Sequence, residues 1–392
     1  MKMLRTVSVI ASSVVAFASQ QAMSEQTPIK IGFEAELSGP QATLGEDQYA
    51  GFMLRVLMNG GKLGGVPVQV IREDSQLKPE VAAQVTQKLI EKDNVPIITG
   101  LTFSPMAAAA VRVATPHKVF VVISNGTTNP MAGAECSPYQ FVTSWQPELL
   151  SATLAKYAND KGYKRISLMA PNYVSGKNFL ATFKHVFKGQ VPDEIYTPLS
   201  QQDFSAEILQ VSASKPDAVF VFYPGGLGIN FVRQYQQAGL GKTTPLLALG
   251  AVDGNNLTAL KDAALGAVTS GAWSPDLDNA ANREFVAAFE KQYHREPTMF
   301  AAQSYDAAQL IDSAIAKVKG NMDDKEALGA ALKEAKFATI RGHFSFAKNH
   351  FPNEDYDVLE AVKDGKGGVT LKLIAAPMHD PSDPFVSACA LK

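Results

Sequence analysis

A regular alternation of strand-like and helix-like segments from Ile29 to Gln84 constrains the fold of this chain more than any other feature. A strand-like run, 29–33, enters the turn Ser38-Gly39-Pro40. Apolar side chains then recur on one helical face: Tyr49, Phe52, Met53, Val56 and Leu57. Asn59-Gly60-Gly61 ends that helix, because glycine readily adopts the left-handed conformation of a helix terminus. A second strand-like run, 66–72, and a helix opened by Pro79 complete a β-α-β-α entry into a parallel sheet.

The alternation continues along the chain and predicts two α/β units. The alternation is interrupted near 141–146, 273–278 and 348–356, which indicates that the chain passes three times between the two units. We expect lobe 1 to comprise 27–143 and 276–348, and lobe 2 to comprise 144–275 and 349–392. The predicted fold class is therefore α/β, with two doubly wound, Rossmann-like lobes joined by a three-segment hinge. Ligands of open α/β sheets bind beyond the carboxyl ends of the strands, so a ligand cleft is expected between the lobes.

The N-terminus has the pattern of a secretory signal peptide. Lys2 and Arg5 precede an apolar stretch, 7–18, which is too short to span a bilayer. Small residues before Glu25 predict cleavage after residue 24, and 16–18 offers a second site. The alternative is a disordered or membrane-anchoring N-terminus. No cysteine lies near the cut, which argues against a lipid anchor.

Charge gives no reason to expect nucleic acid or an anionic membrane as a partner. Without residues 1–24 the chain keeps 34 of its 36 basic residues and all 38 acidic residues, a net charge of −4. Binding of an anionic solute must therefore depend on local hydrogen-bond donors.

The chain has two cysteines, Cys136 and Cys389. In an exported protein a lone pair of cysteines favours a disulfide, here one that would tether the C-terminal tail. Two unrelated buried thiols are the alternative.

The search for catalytic and metal-binding patterns is negative. The six histidines show no HExxH spacing, there is no CxxC pair, and there is no G-x-S-x-G sequence. Gly225-Gly226-Leu227-Gly228 lacks the third glycine of a dinucleotide-binding turn and is better read as a tight turn. We therefore expect no metal, no cofactor and no enzymatic activity, with a hydrolase as the least favoured alternative.

Two loops at predicted strand ends are candidates for holding a carboxylate. Thr102-Phe103-Ser104 immediately precedes a helix, and Gly126-Thr127-Thr128 follows a strand. Backbone N–H groups at a helix start attract anionic oxygens. The alternative is structural: Ser104 caps its helix and Thr128 satisfies its own turn.

The segment from Glu34 to Gln84 resembles the start of the type 1 periplasmic solute-binding proteins, the Leu/Ile/Val-binding-protein-like family. The resemblance extends from Ile29 to the C-terminus. It implies a monomeric periplasmic protein that captures a small carboxylate-bearing solute by hinge closure. It also implies a partner, the membrane permease of an ABC importer. A sensory receptor subunit of the same fold is an alternative.

The resemblance also implies roles for individual residues. Ser104 and Thr128 would supply hydroxyls to the ligand carboxylate, and Gly126 would supply a backbone carbonyl. Tyr173 and Tyr223 lie in or near the lobe 2 loops whose tyrosines close over the ligand in this family.

Two departures bear on the ligand. Pro147 stands where amino-acid-binding members carry an acid for the ammonium group, and Asp253 is off register for the second such acid. Trp145 and Phe103 add to the tyrosines as apolar walls. The segment 341–352 is similar to aromatic-acid-binding members. We therefore expect an aromatic acid or another amine-free carboxylate, with a branched-chain or other amino acid as the alternative.

Overall fold

The computed structural model describes residues 27–392, so the predicted signal peptide, 1–24, lies outside the described residues. Within the described part of the chain, no helix has both the length and the apolar character needed to cross a membrane.

Lobe 1 is built on a six-stranded sheet with the strand order β2-β3-β1-β4-β5-β6. Its strands are β1 (Ile29–Ala35), β2 (Lys62–Leu63), β3 (Val66–Asp74), β4 (Ile97–Gly100), β5 (Phe120–Ile123) and β6 (Gln140–Val142). All pairings are parallel except the β2–β3 hairpin. Strands such as β4 and β5 are buried along their whole length, as expected for parallel strands covered on both faces.

Lobe 2 is built on a seven-stranded sheet with the order β15-β14-β11-β10-β9-β7-β8. The strands are β7 (Ile166–Pro171), β8 (Glu194–Thr197), β9 (Ala218–Phe222), β10 (Leu246–Leu249), β11 (Val268–Gly271), β14 (Tyr356–Lys363) and β15 (Val369–Met378). Strands β14 and β15 join antiparallel at one edge. A two-stranded ribbon, β12 (Ser345–Phe346) and β13 (Pro352–Asn353), precedes them.

Helices cover both faces of each sheet. They are α1 (Ala42–Met58), α2 (Pro79–Glu91), α3 (Ser104–Ala114), α4 (Asn129–Ala132), α5 (Pro147–Asp160), α6 (Val174–Val186), α7 (Ser205–Ser214), α8 (Gly226–Gln237), α9 (Gly254–Leu260), α10 (Ala280–Tyr293), α11 (Met299–Lys317) and α12 (Lys325–Glu334). Helices α1, α11 and α12 pack on one face of the lobe 1 sheet, and α2 and α3 pack on the other. The predicted α/β fold with two sheet lobes is confirmed.

The chain passes between the lobes where β6 meets α5, where β11 meets α10 and where β13 meets β14. Arg341, fully buried, ties the first and third passages together. Its guanidinium donates to the carbonyls of Thr143 at 2.6 Å and Ser144 at 2.7 Å. It also pairs with Asp306 at 2.9 Å and Glu354 at 2.5 Å. The segment 341–352, which the resemblance links to ligand class, thus contributes to the hinge.

The sequence pattern assigns 349–392 to lobe 2, and the structure corrects this at both ends of the segment. Phe351 lies in the lobe 1 core, and Asn349 donates from its side-chain amide to Ala132 O at 2.7 Å. Beyond β15 the tail returns to lobe 1. The predicted disulfide between Cys136 and Cys389 is present, with the two Cα atoms 5.7 Å apart. The covalent bond and the Asn349 contacts hold the tail against lobe 1.

Candidate functional site

A cavity lies between the carboxyl ends of the strands of the two sheets. Its empty volume, with the open solvent at its mouth included, is about 620 Å³. Loops from both lobes and from the hinge line it: Leu44, Thr102, Phe103, Ser104, Asn125, Gly126, Thr127, Trp145, Pro147, Leu150, Tyr173, Ser175, Phe179, Phe222, Pro224, Leu249, Gly250, Asp253, Met299 and Phe300. One apolar cluster includes Leu44 and Phe103 of lobe 1 with Phe179 and Phe222 of lobe 2, so the lobes are closed on each other.

Ser104 stands at the junction of the two lobes. It is the first residue of α3, and the cap position before it is Phe103, which makes no side-chain cap. The capping role considered for Ser104 is therefore wrong. Its hydroxyl instead lies 2.8 Å from the hydroxyl of Ser175 at the start of α6, a direct hydrogen bond between the lobes. Pro105 has no N–H and Ala107 N donates to Phe103 O, so the N–H groups left free by the start of α3 are those of Ser104 and Met106.

Gly126 brings the two lobe 1 loops into contact. A methyl group in place of its hydrogen would lie 2.6 Å from the backbone nitrogen of Ser104. A side chain at this position would force the loops after β4 and β5 apart. Glycine is therefore required here for close approach, and the two loops form one continuous wall of the cavity.

The predicted hydroxyl of Thr128 is placed differently by the structure. Thr128 caps α4 by accepting from Met131 N at 3.4 Å, and it does not line the cavity. The preceding residue, Thr127, lines the cavity, and its buried hydroxyl has no hydrogen-bond partner in the described part of the chain. Of the two threonines, Thr127 is thus the one on the cavity wall.

Aromatic side chains from both lobes and the hinge form the apolar walls. Trp145 and Phe300 meet edge to face at 6.2 Å between ring centroids. Tyr173 stacks on Phe222 at 6.3 Å, and Phe179 packs on Phe222 at 4.2 Å. Burial raises the pKa of the Tyr173 hydroxyl, so this group stays neutral.

Tyr223, the second predicted tyrosine, lies outside the cavity. It is fully buried in the other core of lobe 2, where its hydroxyl accepts from Thr197 Oγ1 at 3.2 Å. Neighbouring strand residues point to opposite faces of a sheet. Phe222 therefore points to the cavity side, and Tyr223 points away from it.

Asp253 is the one Asp or Glu among the described residues that line this cavity. It precedes α9, and its Oδ1 accepts from Asn256 N at 3.1 Å, while its buried Oδ2 has no hydrogen-bond partner among residues 27–392. Burial raises the pKa of the Asp253 carboxyl to about 7, and the nearby Asp47 carboxylate adds to the shift. The same lining contains no lysine, arginine or histidine.

Several lining residues are not predicted from the sequence. Phe222 and Thr127 are immediate neighbours of predicted residues. Met299 and Phe300 come from the start of α11, after the second passage between the lobes, where the sequence predicts only a helix. Ser175 is not identified from the sequence, because its bond to Ser104 depends on how the lobes close.

Two α/β lobes closed on a shared cavity define a protein that traps a small molecule. The chain belongs to the periplasmic binding protein family, whose model matches residues 28–366. The Leu/Ile/Val-binding protein homolog 6 of Brucella melitensis biotype 1 is 28% identical over 351 residues, covering 87% of this chain and 89% of that protein.

Two solved structures of solute-binding proteins of ABC transporters are also similar. One, from R. palustris in complex with benzoate, is 30% identical with a TM-score of 0.88, covering 93% of this chain and all (100%) of that one. The other, from Rhodopseudomonas palustris BisB5 in complex with 3,4-dihydroxybenzoic acid, is 30% identical with a TM-score of 0.84. It covers 90% of this chain and 99% of that one.

Proposed function

We propose that the protein is the periplasmic solute-binding component of an ABC importer and that it closes around a small aromatic carboxylate. The observation that carries the proposal is the composition of the cavity, which joins aromatic walls to a cluster of hydroxyls without any cationic side chain. Export through the predicted signal peptide and delivery to a membrane permease are part of the same proposal.

The hydroxyl end of the cavity suits a carboxylate. Ser104 and Thr127 both line the cavity, on the two loops that meet at Gly126. The first turn of α3 leaves backbone N–H groups beside Ser104 without helical partners. Hydrogen bonds to a charged group are stronger than those between neutral groups. A helix N-terminus also favours negative charge. These donors can hold an anionic oxygen in the absence of lysine or arginine.

The remaining walls suit a flat apolar body better than an ammonium group. Pro147 lines the cavity at the position where the family resemblance expects an acid. An unpaired cation in a closed cavity is heavily penalised, whereas Trp145 and Phe222 offer faces to a ring. The R. palustris relative in complex with benzoate supports this ligand class.

An amino acid is the second candidate, and one observation favours it. The free oxygen of Asp253 is an acceptor that an ammonium group would satisfy. The name of the Brucella relative points the same way. Direct comparison of the two ligand classes decides between them.

The mechanism that we propose is capture by hinge closure, without covalent chemistry. A ligand that touches both lobes binds the closed state more tightly, and several kcal/mol of such preference shift the equilibrium decisively. Ser104 and Ser175 pair with each other, and the described lining has no histidine or lysine as a general base. If the protein is instead a sensory receptor subunit, its signalling partner would recognise the same closed state.

The test is titration calorimetry of the purified protein with benzoate and with leucine. We expect benzoate to bind and leucine to bind at least tenfold more weakly. Ser104→Ala combined with Thr127→Val should weaken benzoate binding by at least tenfold, because each lost hydrogen bond to a charged group is worth roughly 1.5–3 kcal/mol. Thr128→Val is the matched control and should leave the affinity unchanged. Tight binding of leucine without binding of benzoate would overturn the proposed ligand class.

A further inference from the structure

A basic groove lies on lobe 1, at the amino ends of β5 and β6. One face of α12, residues at the starts of the two strands, His350 and the tail residues Leu391 and Lys392 line it. With the open solvent at its mouth included, its empty volume is about 1090 Å³. Among the described residues that line it, a single acid, Glu326, stands against four lysines: Lys118, Lys325, Lys333 and Lys392. The groove is therefore a local concentration of positive charge on a chain whose net charge is −2.

The four lysines have no side-chain carboxylate partners in the described part of the chain. The lysines that form ion pairs there are Lys88, Lys156, Lys184, Lys317, Lys336 and Lys363. Lys333 instead donates to the main-chain oxygen of Lys392 at 3.2 Å.

Lys325 is the least well satisfied of the four. It is half-buried, and burial lowers the pKa of its ammonium group, although nearby Asp323 opposes the shift. It is also the first residue of α12, where the helix dipole disfavours a cation. An anion placed in the groove would relieve both effects.

The shape of the groove suits an extended chain. Lys325 and Lys333 stand eight residues apart on α12, which is roughly 12 Å along the helix axis. Gly329 and Ala330 line the groove between them, and a methyl group at Gly329 would lie 3.2 Å from the ring of Phe120. An extended peptide advances about 3.3 Å per residue, so about four residues span the distance between the two lysine positions.

The groove and the ligand cavity lie at opposite edges of the lobe 1 sheet. Phe120 begins β5 and lines the groove, whereas Thr127 follows the end of β5 and lines the cavity. The length of β5 separates these edges by roughly 10 Å. A partner in the groove would therefore contact lobe 1 and the tail without touching a solute in the cavity.

We propose that this groove binds an acidic peptide segment of a partner protein in an extended conformation, with carboxylates paired to Lys325 and Lys333. A cleft lined by one sign of charge concentrates ligands of the opposite sign. Charge complementarity of this kind speeds association and selects the partner. The proposal goes beyond the proposed function, because it does not depend on which solute the cavity holds.

The test is fluorescence anisotropy of fluorescein-labelled tetraglutamate titrated with the purified protein at low ionic strength. The wild-type protein should bind it saturably and should not bind labelled tetraglutamine, which controls for the charge of the dye. Lys325→Gln combined with Lys333→Gln should weaken binding by roughly fivefold or more, because two ion pairs are lost. Lys188→Gln combined with Lys215→Gln is the matched control, since both are exposed lysines of lobe 2 that do not line the groove. It should leave the affinity unchanged.

A change of shape without a change of charge separates a groove from a diffuse patch of lysines. Ala330→Leu keeps a good helix former but fills the groove, so it should also weaken binding. Ala206→Leu, at an exposed position of α7, is its control and should have no effect.

Three results would each overturn the proposal: no saturable binding by the wild-type protein, equal losses in the two lysine pairs, or unchanged binding by Ala330→Leu. Benzoate affinity should be the same in all these variants, because none of the substituted residues lines the cavity. Failure of the peptide to bind would therefore leave the proposed function standing.

Discussion

Replacement of Arg341 by methionine is expected to destabilise the protein severely. Arg341 is completely buried, as are the two carboxylates it contacts, Asp306 and Glu354. The same guanidinium satisfies the carbonyls of Thr143 and Ser144 in the first passage between the lobes. Methionine fills a comparable volume, but it leaves two buried carboxyl groups without their cationic partner and two carbonyls without its hydrogen bonds.

The size of the effect follows from what is left unpaired. Breaking a buried ion pair by removing one partner costs roughly 3–5 kcal/mol, because the remaining charge stays in an apolar site. Arg341 has two such partners, so the expected loss lies at the upper end of that range or above it. A native protein has only about 5–15 kcal/mol of stability, so the variant should retain little margin.

Urea unfolding followed by circular dichroism measures this effect. Arg283→Met is the matched control, since Arg283 pairs with Asp278 at the surface, where their side chains are 62% and 94% exposed. Exposed pairs contribute about 0–1 kcal/mol. Arg341→Lys keeps the charge but not the forked geometry and should fall between the two. A free energy of unfolding for Arg341→Met within about 1 kcal/mol of that of Arg283→Met would refute the reasoning.

Three further predictions concern the tail, pH and the loop contact. Replacing Cys136 and Cys389 by serine should lower the free energy of unfolding by at most about 5 kcal/mol and expose the tail to protease; an unchanged unfolding curve and digestion pattern would contradict this. Burial lowers the pKa of His350 to about 4. Its contribution to stability should be complete above pH 6.5, the ordinary value, and be lost as the pH falls towards 4. His350→Asn should remove that part of the pH dependence in urea unfolding, and identical pH profiles would count against it. Gly126→Ala should cost about 1–3 kcal/mol of stability by crowding Ser104 and should weaken benzoate binding in calorimetry. Wild-type behaviour would show that the two loops separate freely.

Much of the fold is predictable from the sequence because buried parallel strands and amphipathic helices carry strong patterns. The apolar run within β1 and the turn before α1 are examples. Strand β15 and helix α12 are not predicted. Several residues of β15 are exposed or half-buried, and among the described strands it pairs only with β14, so the alternation of buried strands and helices does not mark it. The return of the tail to lobe 1 depends on contacts of Asn349 and Asp383, which are distant in sequence from Ala132.

At several positions of the candidate site, the sequence prediction is wrong by one residue. Such a difference decides which side chain faces the cavity. The sequence identifies the loop of Thr127 and Thr128 and the strand end at Phe222 and Tyr223. It does not indicate which member of each pair faces the cavity, since that depends on the backbone direction at the strand end. The structural role of Arg341 is not predictable from the sequence either. Its segment, 341–352, is similar to aromatic-acid-binding members, but its burial between two acidic residues is evident only in the folded chain.

The most direct test of the central claim is a fluorescence titration of the Trp273→Phe variant. The chain has two tryptophans. Trp145 lines the cavity, whereas Trp273 is absent from its lining and donates from Nε1 to Asn282 Oδ1 at 2.6 Å. All tryptophan emission of the variant therefore comes from the cavity wall. Binding of an aromatic carboxylate between the lobes predicts a change that saturates on adding 4-hydroxybenzoate and no saturation on adding leucine over the same concentrations. A saturable change with leucine and none with 4-hydroxybenzoate would contradict it.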